Sequence, residues 1–277
     1  MTTNASLRRP VPAVAHSTIP PISNPAVPGT DAPAVQILEE AAPLVSVVTR
    51  ATHPGNTIVG RVTFNPPPER VIALNTDPSC PALRTNPPTT QDFIVGTNGA
   101  LANVFVSLAG RMSSQLSAAS LTNHLLTLAD CKITPLLSGA LVSQAWIFSN
   151  HTTEDHLLRI VTTNHPSAPN NRITSQVVLY SGLARTRPAA RRPEDFIAIE
   201  CSKHPWEFAY VCAVENPFFA VSDTNGVFVI PNVPTGKYLL NARHLKMSGA
   251  NALAREVVVK ADQPTEVDFI FDLAPNP

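Results

Sequence analysis

The chain has little charge, little glycine and few aromatic residues, and it has no long hydrophobic run. Charged residues make up 14% of its 277 positions, aromatics 6%, and there are only 11 glycines. Lys plus Arg and Asp plus Glu both number 20, so the formal net charge is zero. A neutral chain has no bulk field to gather nucleic acid or an anionic membrane surface, so no nucleic-acid partner is expected. No run of about 18 apolar residues exists, which excludes a spanning helix. The N-terminus has no apolar segment of the kind that directs secretion, so no signal peptide is read in the given sequence. Also missing are a nucleophile elbow, a P-loop, a dinucleotide glycine fingerprint and an HExxH pair. We therefore expect no enzyme. Four cysteines, Cys80, Cys131, Cys201 and Cys212, are too few for a disulfide scaffold. They suffice for one bridge and a metal ligand, or for four plain buried thiols.

What the chain does have is proline, 28 in all, nine of them within the first 55 residues. Residues 1–55 read as a proline-rich disordered leader or linker. From Thr57 the pattern becomes that of strands. Ile58, Val62 and Phe64 share one face at period 2. Short runs rich in Val, Ile and Phe follow at 70–74, 101–108, 142–148, 176–180, 196–200 and 208–214, separated by Pro, Gly, Asn and Ser. That texture is all-β, a sandwich rather than alternating strands and helices. Only Ser113–Ala129 hints at a helix. Beyond Pro217 the runs at 218–221, 227–230, 237–242, 255–260 and 266–271 are shorter. There Asn225-Gly226 suits a hairpin turn, because both positions tolerate positive φ. The expected division is 1–55 leader, 56–215 large domain and 216–277 small β-sandwich module.

The segment Ile199-Glu-Cys-Ser-Lys-His-Pro-Trp-Glu-Phe-Ala-Tyr-Val211 carries the chemistry. It sets Cys201 and His204 three residues apart on a loop between two apolar strands, where a thiolate and an imidazole can reach one metal. A copper site of the two-histidine, one-cysteine kind needs a second imidazole from a distant strand and a weak further ligand. His156, which follows Asn150-His-Thr-Thr-Glu-Asp155, is the candidate imidazole. Glu207 stands where the further ligand is expected. The opposing reading is a buried thiol and two solvated histidines on a sandwich without metal. A carboxylate there favours Cu(II) over Cu(I) and makes Zn²⁺ a stronger competitor, and an exposed Glu207 stays equally open. Trp206 is expected to shield the site, Cys212 to be a small core residue, and His151, His165 and His244 to lie at the surface or in turns. The arginine-bearing segment 185–192 reads as a solvated loop.

These segments resemble the bacterial cupredoxin-like proteins that carry a carboxypeptidase-regulatory-like C-terminal module, some of them labelled methylamine-utilisation proteins. The resemblance runs through Gly60-Arg-Val-Thr-Phe64, Asn98 to Val106, Asp130-Cys131 with Pro135, Asn150 to His156 and Cys201 to Tyr210. It continues in Asn216 to Val221, Asn225 to Phe228, Val233 to Tyr238 and His244, covering roughly residues 57–271. Three positions depart from the family pattern. Glu207 replaces a methionine, Arg159 replaces a second histidine, and Arg243-His244-Leu245 replaces Trp-His-Glu. The resemblance implies a Greek-key cupredoxin-like sandwich followed by a prealbumin-like module. It implies one copper on His156, Cys201 and His204 with Glu207 in the axial place, electron transfer with a redox partner protein, and a periplasmic or extracellular location. It also implies a Cys80–Cys131 disulfide. The alternative function is a non-redox structural or binding β-sandwich protein of the cell envelope that has lost copper.

Overall fold

The computed structural model of the chain describes residues 54–65, 93–110, 123–142, 144–162, 173–188, 190–247 and 252–272. Residues 1–53 of the expected leader, the run at 70–74, Cys80 and His165 lie outside the described residues. Two strands come first, β1 (Ile58–Asn65) and β2 (Val104–Leu108). A central block follows: β3 (His124–Ala129), β4 (Lys132–Thr134), β5 (Leu137–Leu141), β6 (Trp146–Asn150) and β7 (His156–Thr162). The block continues with β8 (Ile173–Leu179), β9 (Ala184–Arg187), β10 (Glu194–Cys201) and β11 (Phe208–Val214). The last strands are β12 (Phe219–Val221), β13 (Val227–Ile230), β14 (Gly236–His244), β15 (Leu253–Val259), β16 (Thr265–Glu266) and β17 (Phe269–Asp272). The fold is all-β, as expected. No helix among the described residues is long and apolar enough to cross a membrane.

The central block closes on itself. One of its sheets runs β5-β11-β10-β7-β8 and the other β4-β3-β6-β9. Their facing sides bury Leu126, Leu128 and Phe148 against Leu158, Ile199 and Val211. Buried positions recur two apart along the strands, as at Leu126 and Leu128 or Ile197 and Ile199, which a pleated, half-buried surface requires. The helix expected over 113–129 is not formed at its C-terminal part. His124–Ala129 is a strand paired parallel to β6, because Leu126 and Leu128 are buried at period 2 and tertiary pairing overrides the helical preference of Leu and Ala. Residues 111–122 lie outside the described residues. The 185–192 loop is partly strand as well, since β9 pairs antiparallel with β6.

The expected boundary at 215/216 does not match the pairing. β1 runs antiparallel to β13 and parallel to β16 and β17, while the other outer sheet runs β12-β2-β14-β15. Val62, Phe64, Val104 and Val106 thus share a core with Phe228, Leu240, Phe269 and Phe271. The outer sandwich is built from both flanks, and the central block is inserted between β2 and β12. Alternation reveals that a strand has a buried face but not which strand will cover it. The Asn225-Gly226 turn exists, with Gly226 at φ +72°. Its two flanking strands join different sheets, so it is not a hairpin. The Asp223 carboxylate accepts from the Asn225 and Val227 amides, both at 2.8 Å, and holds this corner.

A third apolar layer joins the two sandwiches. Phe105, Leu137, Leu141, Cys212 and Val214 are buried there, with Phe196, Phe219 and Val221 packed on them. Gly139 on β5 lies beneath the rings. A Cβ at that position would stand 2.3 Å from the Phe219 ring and 2.8 Å from that of Phe105. Both rings are held in the layer, so neither can simply swing away. Gly139→Ala is therefore expected to destabilise the chain by about 1–3 kcal/mol, the usual cost of overpacking. A denaturation midpoint equal to the parent's would show that this layer is not close-packed.

Candidate metal centre

β10 ends at Cys201 and β11 begins at Phe208, and the connection between them is tied at both ends. The Cys201 amide donates to the Glu207 carbonyl at 2.9 Å, and the Glu207 amide donates to the His204 carbonyl at 2.9 Å. These bonds fold Cys201, His204 and Glu207 around one point. Cys201 also pairs across to Leu158 on β7, and the Ser202 amide donates to the Leu157 carbonyl at 2.8 Å. His156 opens β7, so this register delivers it to the same loop from 45 residues away.

All four side chains are buried, Glu207 to 3% exposure. Their donor atoms lie within 4.8 Å of one another. The Cys201 sulfur stands 3.6 Å from His156 Nδ1 and 3.7 Å from His204 Nδ1. The Glu207 Oε2 stands 2.9 Å from His156 Nδ1 and 3.1 Å from His204 Nδ1. A tetrahedral ion with bonds of about 2.0–2.3 Å would hold neighbouring donors roughly 3.3–3.6 Å apart. The donor types suit such an ion. The sulfur–imidazole pairs stand within about 0.1 Å of that range, and the carboxylate–imidazole pairs fall slightly short of it, as hydrogen-bonded partners do. The widest separation in the group, up to 4.8 Å, has to draw in for one ion to be held by all four. His156, Cys201, His204 and Glu207 thus form a buried group able to hold a metal ion. The exposed alternative for Glu207 is excluded, and its carboxylate is as near to both imidazoles as an equal fourth donor.

The far sides of the rings are held too. His156 Nε2 lies 2.8 Å from the Thr152 hydroxyl. His204 Nε2 lies 3.8 Å from the half-exposed carboxylate of Glu154. The ring of buried Trp206 sits 5.2 Å from that of His204, tilted by 34°, and covers it. Thr152 and Asn150 were not singled out from the sequence as partners of the site. The only signal was a polar run ending at a candidate ligand.

Other expectations meet mixed outcomes. Cys131 is disulfide-bonded, while Cys80, its expected partner, lies outside the described residues. Cys212 is a core residue whose thiol is pushed up to about 12 by burial. His151 is exposed and bonded to Ser149 at 2.8 Å. His244 is buried, contrary to expectation, and stacks on Phe93 at 4.9 Å. An isolated histidine gives no hint of such burial when its stacking partner lies far away in sequence.

No protein-family model matches the chain, and no curated protein matches it. Among solved structures, the chain is similar to a proline-to-glycine mutant of amicyanin in its reduced Cu(I) form, at 13% identity. That likeness covers 39% of this chain and 98% of amicyanin, with a TM-score of 0.28. It is also similar to a copper-containing nitrite reductase from Thermus scotoductus SA-01 at 13% identity. There the match covers 39% of this chain and 26% of the reductase, with a TM-score of 0.29.

In the metal-free protein the site is a small ion-pair network. Burial lowers the pKa of His156, but the Cys201 sulfur and the Glu207 carboxylate outweigh it and raise the group to about 9. Burial raises Glu207, but the two histidines outweigh it and hold its carboxyl below the usual value. The stability drawn from a raised histidine is complete below its unfolded pKa, about 6.5, and is lost as pH rises through about 9. The share of Glu207 runs the other way and is lost as pH falls through its depressed folded value. The thermal midpoint of metal-free protein is thus expected to fall between pH 6.5 and 9. The fall should be shallower in Glu207→Gln. Equal falls in the two proteins would remove the pair from the account.

Proposed function

We propose that the chain is a copper-binding, cupredoxin-type protein that carries electrons between protein partners. The observation that carries this reading is the convergence of two imidazoles, one thiol and one carboxylate, all buried, within 4.8 Å. Imidazole and thiolate together are the donors that suit copper. Copper bound there would supply a one-electron carrier. Cys201 would give the thiolate, His156 and His204 the imidazoles, and Glu207 a second negative charge. The β-strands on either side limit the movement of these ligands, and Trp206 keeps water from His204. On this reading the protein is a carrier rather than an enzyme, and the partner docks over the half-exposed Glu154, whose carboxylate lies 3.8 Å from the Nε2 of buried His204. The disulfide on Cys131 supports an extracytoplasmic setting, since such bonds persist in oxidising compartments. The outer sandwich serves as a carboxypeptidase-regulatory-like spacer, made from the segments on either side of the insertion.

The place of Glu207 favours a second reading, a zinc site that braces a non-redox envelope protein. A hard oxygen beside both imidazoles suits Zn²⁺ as well as Cu(II). Titration with Cu(II) followed by visible absorption separates the two. The carrier predicts one equivalent bound and a sulfur-to-copper charge-transfer band that Cys201→Ser abolishes. Glu207→Met should raise the reduction potential, because removing a negative charge disfavours the dication. Protein that takes up zinc but gives no copper–sulfur band would move the case to the second reading.

A further inference from the structure

The two carbonyls that receive Asn150 determine which nitrogen of His156 can meet a metal. Asn150 is buried, and its Nδ2 donates to the carbonyls of Glu154 at 2.7 Å and Leu179 at 3.2 Å. Two acceptors on that side leave the amide one orientation, with Oδ1 turned toward Thr152. That oxygen accepts from the Thr152 amide at 2.9 Å and from the Thr152 hydroxyl at 2.7 Å. The hydroxyl has one hydrogen. The Glu154 carbonyl is another acceptor in reach, but at 3.2 Å it is the longer contact, and the Glu154 amide donates to the hydroxyl at 3.3 Å. With its hydrogen given to Asn150, the hydroxyl can only accept from His156 Nε2, 2.8 Å away. Nε2 therefore keeps its proton, and the proton a metal would displace is the one on Nδ1, the atom that faces Cys201 and Glu207.

We propose that Asn150 and Thr152 are positioning residues that lock His156 in the Nε2–H tautomer and so set the metal-binding nitrogen before any metal arrives. The inference rests on the metal reading above. The lock belongs to the loop that joins β6 to β7. The Ser181 hydroxyl donates to the Thr152 carbonyl at 2.8 Å, and the Ser181 amide donates to Asp155 at 2.9 Å. The loop is therefore braced from the β8–β9 side as well. A ligand ring without such a partner can turn or take the other tautomer, and losing an outer partner of this kind weakens metal affinity about 10–100-fold.

The test uses the full chain, Zn²⁺ as a diamagnetic probe, and nitrogen NMR of the imidazoles. In Zn²⁺-loaded parent, His156 is expected to show a slowly exchanging Nε2–H and metal on Nδ1. Thr152→Val should lose about 10–100-fold in Zn²⁺ affinity, and Thr152→Ser, which keeps the hydroxyl, should recover it. Equal affinity in the Val variant and the parent would overturn the proposal, as would a proton on Nδ1. Should the Val variant not fold, the tautomer of the parent decides alone. If the parent binds no metal, the copper reading fails by itself. The outer contact is then read in metal-free protein: an Nε2 proton that exchanges slowly in the parent and fast in Thr152→Val sustains the lock, and equal exchange in the two refutes it.

Discussion

A carboxylate shut away from water must find positive charge or donors close by, because an unpaired buried ion costs several kcal/mol. Glu207 is in that position, and its partners are the Nδ1 atoms of His156 and His204 at 2.9 and 3.1 Å. The rest of the site follows from this constraint. The two rings must turn the same nitrogen inward, the loop must bring residues 204 and 207 to the same side, and β7 must begin beside it. A metal would take over the role that protons play between these groups in its absence. A carboxylate that suits protons and dications alike is a hard ligand, which separates this site from one closed by a thioether.

The strands that deliver these groups belong to one sandwich, yet that sandwich is fixed to another. The inserted block rests its outer face on β2 and β12 through Phe105 and Phe219, and Gly139 is the small residue that lets both rings come close. β10 and β11, which bear the metal-site loop, contribute to both apolar layers. Ile199 and Val211 face inward, while Cys212 and Val214 face the outer sandwich. With both faces covered, these two strands cannot shift without opening a core. That is the rigidity a metal site asks of its scaffold.

Residue spacing made the loop legible. Cys201, His204 and Glu207 are local in sequence, so their convergence needs only one turn between two strands. His156 was legible as the start of a strand after a polar loop, and the family resemblance reinforced it. Strand partnership was not legible. β1 shows a clear apolar face, yet nothing in Ile58 to Phe64 says that Phe228, Phe269 and Phe271 will cover it. The strand at 124–129 was hidden because Leu and Ala favour helices in isolation, and only the pairing with β6 reverses that preference. Asn150 and Thr152 were hidden for a different reason. Their role depends on how one amide and one hydroxyl are turned, and residue type leaves that free.

The claim that a thiolate, two imidazoles and a carboxylate hold one copper is tested most directly by X-ray absorption at the copper edge on the loaded full chain. The account predicts a single sulfur scatterer together with nitrogen or oxygen donors, two of them showing the outer-ring scattering of imidazole. A spectrum with no sulfur, or with imidazole scattering absent, would contradict it.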